Sequence, residues 1–372
     1  MKTQVGVIFG GRSGEHEISI RSARTVIEQI DHEKYNVVPI AITEAGRWLR
    51  AAESLTFFPD ETRAKYFEKF GEVDPKSGGL AFVTDTIAHK TKRRKRGHPL
   101  SVAFPVLHGT FGEDGTIQGL FEMADMPYVG CGVLASSTGM DKAFMKSLFR
   151  DAELPVCNYT WFLRDDWSAN AEATLTLVQS KIGFPCFVKP ANLGSSVGVS
   201  KATDKKTLRA AIKLAARYDR KIIVEEALTM REIECAVIGN GSPQASLPGE
   251  YIIRDASKTF LDYTEKYTGT GNNKFVVPAL LSEELSDKIR QMAVTAFKAI
   301  DGSGLARVDF FLLKDNGALL VNEINTMPGL TDASGFPKMW QGSGKSFTQV
   351  IDELIGLAIE RYEDKKKNRT TK

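Results

Sequence analysis

Four polar side chains, Arg307, Asp309, Glu323 and Asn325, lie in an otherwise apolar stretch, GLARVDFFLLKDNGALLVNEINTMPG, residues 304–329. Two runs, 306–314 and 318–325, are rich in Val, Leu, Ile and Phe and flank Asp315-Asn316-Gly317. This reads as a β-hairpin with a Gly-containing turn. A three-residue loop 315–317 sets Asp309 opposite Glu323 and Arg307 opposite Asn325, all on one face because side chains alternate. A two-residue Asn-Gly loop would set Asp309 against Ile324 and split the charges. We take the first register because it gathers the polar groups into one site. Two carboxylates, an amide and a guanidinium on strands of buried type are costly unless paired or metal-bound. Oxygen donors suit Mg²⁺, which also takes substrate phosphates and waters. The competing reading is a structural ion pair between Arg307 and Asp309.

Other residues of chemical interest occupy loops at strand and helix ends. His108 follows the apolar run 102–107 and opens a Gly-rich loop, the place where a crevice forms at the end of an α/β strand. Lys142 falls in the first turn of a helix expected over 141–152, where a cation gains nothing from the helix dipole and an anionic ligand would use it. Lys189 ends an expected strand, 184–189, and precedes Pro190-Ala191-Asn192-Leu193-Gly194-Ser195-Ser196. Such a Gly/Ser loop can cover phosphates with backbone N–H groups and hydroxyls. It is not a P-loop. Gly342–Ser346 comes nearest to that pattern, but Met339 stands where its first Gly must be.

The elements that position these groups follow in order. A strand over 4–9, the loop Gly10–Gly14, a helix over 15–30 and a strand over 35–42 suggest an open α/β domain without a dinucleotide fingerprint. Residues 50–98 are polar and read as an insertion. A helix over 116–124 and a short strand at 128–130 follow. Further on we expect strands at 197–201, 222–226 and 232–238, and helices over 207–218, 282–300 and 346–362. Residues 251–274 read as a long loop of lid type.

With 372 residues, 42% hydrophobic and 26% charged, the chain is that of a globular protein of two or three domains. No run of 18 apolar residues suggests a membrane span. The start is not of signal-peptide type. The four scattered cysteines carry no metal spacing, so reduced thiols and a cytoplasmic location are expected. The net charge of +3 hides an acidic body: six basic residues lie within 90–96 and five more in the tail after 364. Neither run is interleaved with aromatics, and no nucleic-acid partner is expected.

Together these pieces resemble the D-alanine–D-alanine ligases of the ATP-grasp superfamily. FGGRSGEHEIS (9–19), LHGTFGEDG (107–115), MDK (140–142), VKPANLGSSVGVSK (188–201), VEEAL (224–228), DYTEKY (262–267), ARVDF (306–310) and NEINTMPGLT (322–331) match the family's blocks in order over nearly the whole chain. The resemblance implies an ATP-grasp fold preceded by a Rossmann-like α/β domain, with domains over 1–139, 140–228 and 229–372. It implies that Lys142 and Lys189 bind ATP phosphates under Ser195 and Ser196, with Lys266 from the lid. Glu225 would meet the adenine amino group, Glu226 and Leu228 the adenine through backbone, and Glu232 the ribose. Asp309, Glu323 and Asn325 would hold two Mg²⁺ or Mn²⁺; dependence on a monovalent cation is left open. Arg307 and the Gly329 N–H would stabilise an oxyanion. Glu15 would bind the first D-alanine's ammonium with His108 near its carboxylate, and Ser334 the second D-alanine's carboxylate. Gly335 follows, where the family often carries a larger residue. Tyr267 would join Ser195 and Glu15 in closing the lid. The implied activity is ATP-dependent joining of two D-alanines for peptidoglycan precursor synthesis, by a homodimer. A D-alanine–D-lactate ligase on the same scaffold is the alternative, and EKY at 265–267 argues against it.

Overall fold

A computed structural model describes residues 2–75, 77–80, 100–253 and 273–369, and its architecture is α/β. The first region begins with β1 (Thr3–Gly10), α1 (His16–Gln29) and β2 (Tyr35–Ile42). Val5, Val7, Ile8 and Phe9 are wholly buried, as a parallel strand covered on both faces requires. After α2 (Ala51–Leu55) and α3 (Asp60–Phe70), β3 (Val102–Val106) completes a parallel sheet of order β2-β1-β3. Helices α4 (Thr116–Met123) and α5 (Val133–Met140) follow.

Residues 51–70 depart from the expected insertion. Leu55, Phe58 and Tyr66 belong to the core beside β1, and the Tyr66 hydroxyl donates to Val37 O at 2.7 Å. The signal is faint because α3 buries only Thr62 and Tyr66. The short strand expected at 128–130 is a single bridge between Ala103 and Tyr128. The basic run 90–96 lies outside the described residues.

The second region runs α6 (Lys142–Asp151), β4 (Tyr159–Leu163), α7 (Arg164–Ala169), α8 (Ala171–Lys181), β5 (Cys186–Pro190), β6 (Ser200–Ala202), α9 (Lys205–Ala215) and β7 (Lys221–Glu226). Its sheet is antiparallel, in the order β4-β7-β5-β6. Asp141 caps α6 by accepting from the N–H groups of Ala143 and Phe144, which fixes where the helix, and so Lys142, begins.

The third region comprises β8 (Met230–Gly239), β9 (Gln244–Ala245), β10 (Gly249–Ile253), β11 (Asn273–Val276), α10 (Glu283–Ala299), β12 (Gly304–Leu313), β13 (Leu319–Asn325), α11 (Gly335–Gly342) and α12 (Phe347–Lys365). Its sheet has the order β11-β10-β8-β12-β13, with β9 beside β8. Both ends of the loop expected over 251–274 are strand instead, because Tyr251 opposes Phe275 and Ile252 opposes Lys274. Residues 254–272, including Lys266 and Tyr267, lie outside the described residues. Val5, Phe9 and Val106 share one core with Ala236, Leu305, Phe336 and Trp340, so the first and third regions are joined. The central sheet has a separate core around Val188, Leu208, Ile212 and Val224. The faces between these bodies are where a ligand can be enclosed.

Candidate active site

Strand β12 alternates strictly: Val308, Phe310 and Leu312 are buried while Arg307, Asp309 and Phe311 are half-buried on the opposite face. Arg307 pairs with Asn325, and Asp309 with Glu323. That is the expected pairing, reached by a different route. Near the turn Leu312 faces Leu319 and Phe310 faces Val321, one residue out of step, and a bulge at Asn322 restores the register. The loop therefore spans 314–317, closed by Leu313 N–H to Ala318 O at 2.8 Å, and is not the three-residue loop assumed. Arg307 donates two bonds of 2.6 Å to the two oxygens of Asp309. Glu234, opposite Asp309 on β8, stands 3.6 Å from Arg307 Nε. The Asn325 side-chain oxygen accepts from Met327 N–H at 2.9 Å.

A cleft lies between the central and third sheets. Lys189 on β5, Glu225 and Glu226 at the end of β7, Leu228 beyond it and Glu232 on β8 line it. Lys142, Asp309, Glu323 and the loop bearing Ser195 and Ser196 complete it. Lys142 Nζ donates to Leu193 O at 2.8 Å and stands 3.6 Å from Glu323 Oε2. Glu225 is 2% exposed and takes Lys189 at 2.6 Å on one oxygen and Lys146 at 3.2 Å on the other. Burial alone would raise its pKa, but the two ammonium groups outweigh that and hold it at about 2. Burial would lower the Lys189 pKa, and Glu225 and Glu323 turn the shift upward. Glu226 instead accepts from the backbone and side-chain N–H groups of Asn158, at 2.8 and 3.1 Å. Its own backbone N–H donates to Asn158 O at 3.1 Å.

Ser195 and Ser196 both adopt left-handed backbone, with φ of 53° and 56°. For residues other than glycine this costs of order 1 kcal/mol each and marks a loop held by its surroundings. The holding contact for Ser195 is a short bond from its hydroxyl to Glu15. Glu15 begins a second polar cluster at the N-terminus of α1. Burial and the charge of Glu113 push its pKa up, against the opposing pull of His108, Ser195 and Arg307. His108 is 4% exposed; its Nδ1 is 3.0 Å from Met327 O and 3.8 Å from Glu113, and its Nε2 is 3.1 Å from Ser22 Oγ. Burial disfavours the imidazolium, yet Glu113 and Glu15 outweigh it and the pKa is raised. Gly329 is buried in the next loop, between Met327 and Leu330, whose N–H donates to Ser22 Oγ at 3.3 Å. Ser334 is also buried, and its hydroxyl is 2.7 Å from that of Thr331.

Thus Lys142, Lys189, Ser195, Ser196, Glu225, Glu226, Leu228, Glu232, Asp309 and Glu323 share one cleft. Glu15, His108 and Arg307 form a cluster that meets it at Ser195. Three charged residues escaped the sequence analysis. Lys146 is four residues from Lys142 and so near the same helical face. Glu234 is two residues from Glu232 and shares its strand face. Glu113 stands within the quoted 107–115 block.

Two sheets enclosing a lysine-and-carboxylate cleft, behind a parallel α/β domain, define the ATP-grasp fold with its N-terminal domain. The family description "D-ala D-ala ligase N-terminus" matches residues 4–131 and "D-ala D-ala ligase C-terminus" residues 148–356. The chain is 45% identical to the D-alanine–D-alanine ligase of Ruminiclostridium cellulolyticum, covering 99% of this chain and 98% of that one. It is also 45% identical to the ligase of Bacillus licheniformis, covering all of both. Among solved structures, the D-alanine–D-alanine ligase of Coxiella burnetii is 34% identical with a TM-score of 0.78, covering 98% of each chain. The VanG D-Ala:D-Ser ligase of Enterococcus faecalis is 37% identical with a TM-score of 0.79, covering 96% of this chain and all of that one. The chain belongs to the D-alanine–D-alanine ligase family.

Proposed function

We propose that the protein joins two D-alanines to D-alanyl-D-alanine, converting ATP to ADP and phosphate, for peptidoglycan precursor synthesis. The carrying observation is the Ser195–Glu15 bond, which joins the lysine-lined cleft to the His108–Glu113 cluster. A phosphate donor and an amino acid held in these two places would react at their junction. The first D-alanine's carboxylate attacks the γ-phosphorus, forming a C–O–P bond as the P–O bond to ADP breaks. The second D-alanine's amine, once deprotonated, attacks the acyl carbon, and phosphate leaves with the C–O bond electrons.

Lys142 and Lys189 offset charge on the transferring phosphoryl group, with Ser195 and Ser196 above it. Glu225 meets the adenine amino group, Glu226 and Leu228 offer backbone, and Glu232 takes the ribose. Arg307, with the Gly329 N–H, meets the oxyanion as it forms. Glu15 takes the first ammonium, and His108 lies by its carboxylate. Ser334 can accept from Thr331 N–H and still donate its own proton to the second carboxylate. Lys266 and Tyr267, outside the described residues, keep the roles expected of them at the ATP phosphates and beside Ser195 and Glu15.

Asp309, Glu323 and Asn325 fit two Mg²⁺ or Mn²⁺: the donors are all oxygen, and Asp309 and Glu323 are cross-strand partners. A carboxylate has about four lone-pair sites, so two bonds from Arg307 do not exhaust Asp309. Such ions would supply charge neutralisation on the phosphates. We extend the proposal to the three-domain division at 139 and 228, a cytoplasmic location and a homodimer. Exposed Met123, Val133 and Leu134 on the adjoining α4 and α5 support a self-association surface.

The test is D-alanine-dependent phosphate release with ATP and Mg²⁺, with products identified by mass. A panel of D-alanine, D-serine and D-lactate resolves the acceptor, since the structural relatives include a D-serine ligase. D-alanyl-D-alanine as main product at neutral pH is expected. No D-alanine-dependent phosphate release, or ester as the main product, would overturn the assignment.

A further inference from the structure

Helix α6 carries two lysines one turn apart with different surroundings. Lys142 lines the cleft. Lys146 is 1% exposed, with Nζ 2.9 Å from Asn322 O, 3.2 Å from Glu225 Oε1 and 3.5 Å from Cys157 Sγ. Met145 and Phe149 on the same helix are wholly buried in a core that also holds Ile324 of β13. An apolar side chain of similar length would fill that space without the desolvation cost of an ammonium, so packing alone does not call for a charge there.

The charge count gives a reason. Glu225 has one negative charge and two ammonium partners, Lys146 and Lys189. Of these only Lys189 lines the cleft. With Lys146 present, the trio has one positive charge to spare. Without it, Lys189 and Glu225 would form a neutral pair, and the lysine's charge would be spent on its own carboxylate. We propose that Lys146 is a positioning residue that neutralises Glu225 and thereby releases the charge of Lys189 for the phosphates of ATP. Its bond to the Asn322 carbonyl also ties this trio to the bulge that sets Glu323 in register. The proposal rests on the ATP reading above.

The test is calorimetric binding of ATP and of adenosine to the full-length protein, with Mg²⁺ and without amino acid. Adenosine has no phosphates, so the ratio of the two affinities isolates the phosphate contribution. Lys146→Met is expected to weaken ATP by about 10-fold or more, the worth of a hydrogen bond to a charged group, and adenosine by less than about threefold. Lys146→Arg should recover most of the lost ATP affinity, because it restores the charge. Equal weakening of both ligands, as expected of a loss of packing alone, or an unchanged ratio, would overturn the proposal. Lys146→Met with Glu225→Gln removes both charges together and serves if the single variant does not hold its fold. There Glu225 no longer takes up the charge of Lys189, and the ratio should return to within about threefold of wild type; a ratio still about 10-fold down overturns the proposal. Wild type that binds adenosine but gains nothing from the phosphates would overturn the ATP reading itself.

Discussion

Two carboxylates, Glu225 and Glu15, mark opposite ends of the candidate site, and their surroundings drive them in opposite directions. Burial raises the pKa of each. At Glu225 Lys146 and Lys189 overturn burial and hold a fixed anion at about 2. At Glu15 the charge of Glu113 adds to burial, and the groups that oppose it do not prevail. Burial therefore prevails at Glu15 and is overturned at Glu225, where two ammonium groups face one carboxylate. The lysine end carries one positive charge more than its carboxylate takes up. At the Glu15 end two carboxylates, Glu15 and Glu113, share His108 and Arg307, and under the proposed function an arriving ammonium would add a cation there.

The largest expected effect lies between the two ends. Glu323→Gln should lower ligation by about two to three decades, the order seen when a charge-stabilising group is removed, while the fold persists on the buried residues of β12 and β13. Phosphate release near the wild-type rate would remove Glu323 from the proposed metal set. At the lysine end, Glu225→Gln should destabilise the fold by about 3–5 kcal/mol, because two buried ammonium groups lose their shared counter-ion. Denaturant titration at pH 7.5 measures it, and a loss within about 1 kcal/mol would mean water already screens this trio.

The same trio has a pH signature. The Glu225 pKa is about 2 when folded against an ordinary 4.5, so its contribution is fully present above 4.5 and is lost as pH falls from there towards 2. The size is of order 3 kcal/mol. The Glu225→Gln variant should lack this component, and its stability curve should approach that of wild type as pH falls. Parallel curves from pH 6 to 3 would contradict the assignment of a depressed pKa.

The sequence showed one end of this comparison better than the other. Alternation put Arg307 and Asp309 on one face of β12, because period two is a local property, and choosing the register that gathers the polar groups gave their pairing with Asn325 and Glu323. The Asn322 bulge was not legible: it arises from how two strands are held by their neighbours, and the pairing came out right through a wrong loop. Lys146 looked like one more lysine on a polar helix, since its burial depends on β7 and β13 arriving from distant sequence. The buried face of α3 was hidden for the same reason, with just two inward residues. Blocks such as 107–115 pointed to His108 by its place after a strand, but Glu113 acquires significance only when the loop folds back to put it 3.8 Å from the imidazole.

The smallest expected effect belongs to Glu15. Its folded pKa lies above the ordinary carboxylate value, so the folded state holds the proton more tightly than the unfolded chain. The resulting stability is present in full below pH 4.5 and is lost as pH rises through the folded pKa. A glutamine keeps the shape, can accept the Ser195 hydroxyl proton through its carbonyl, and carries no charge to bury. Glu15→Gln should accordingly match or exceed wild type at pH 7.5, while ligation falls for want of an anion to meet the first ammonium. The difference in stability should shrink as pH approaches 4.5, where wild type becomes protonated too. Chemical denaturation at pH 4.5 and 7.5 measures it. A Glu15→Gln protein several kcal/mol less stable at pH 7.5 would place Glu15 with Glu225, as an anion that the fold requires.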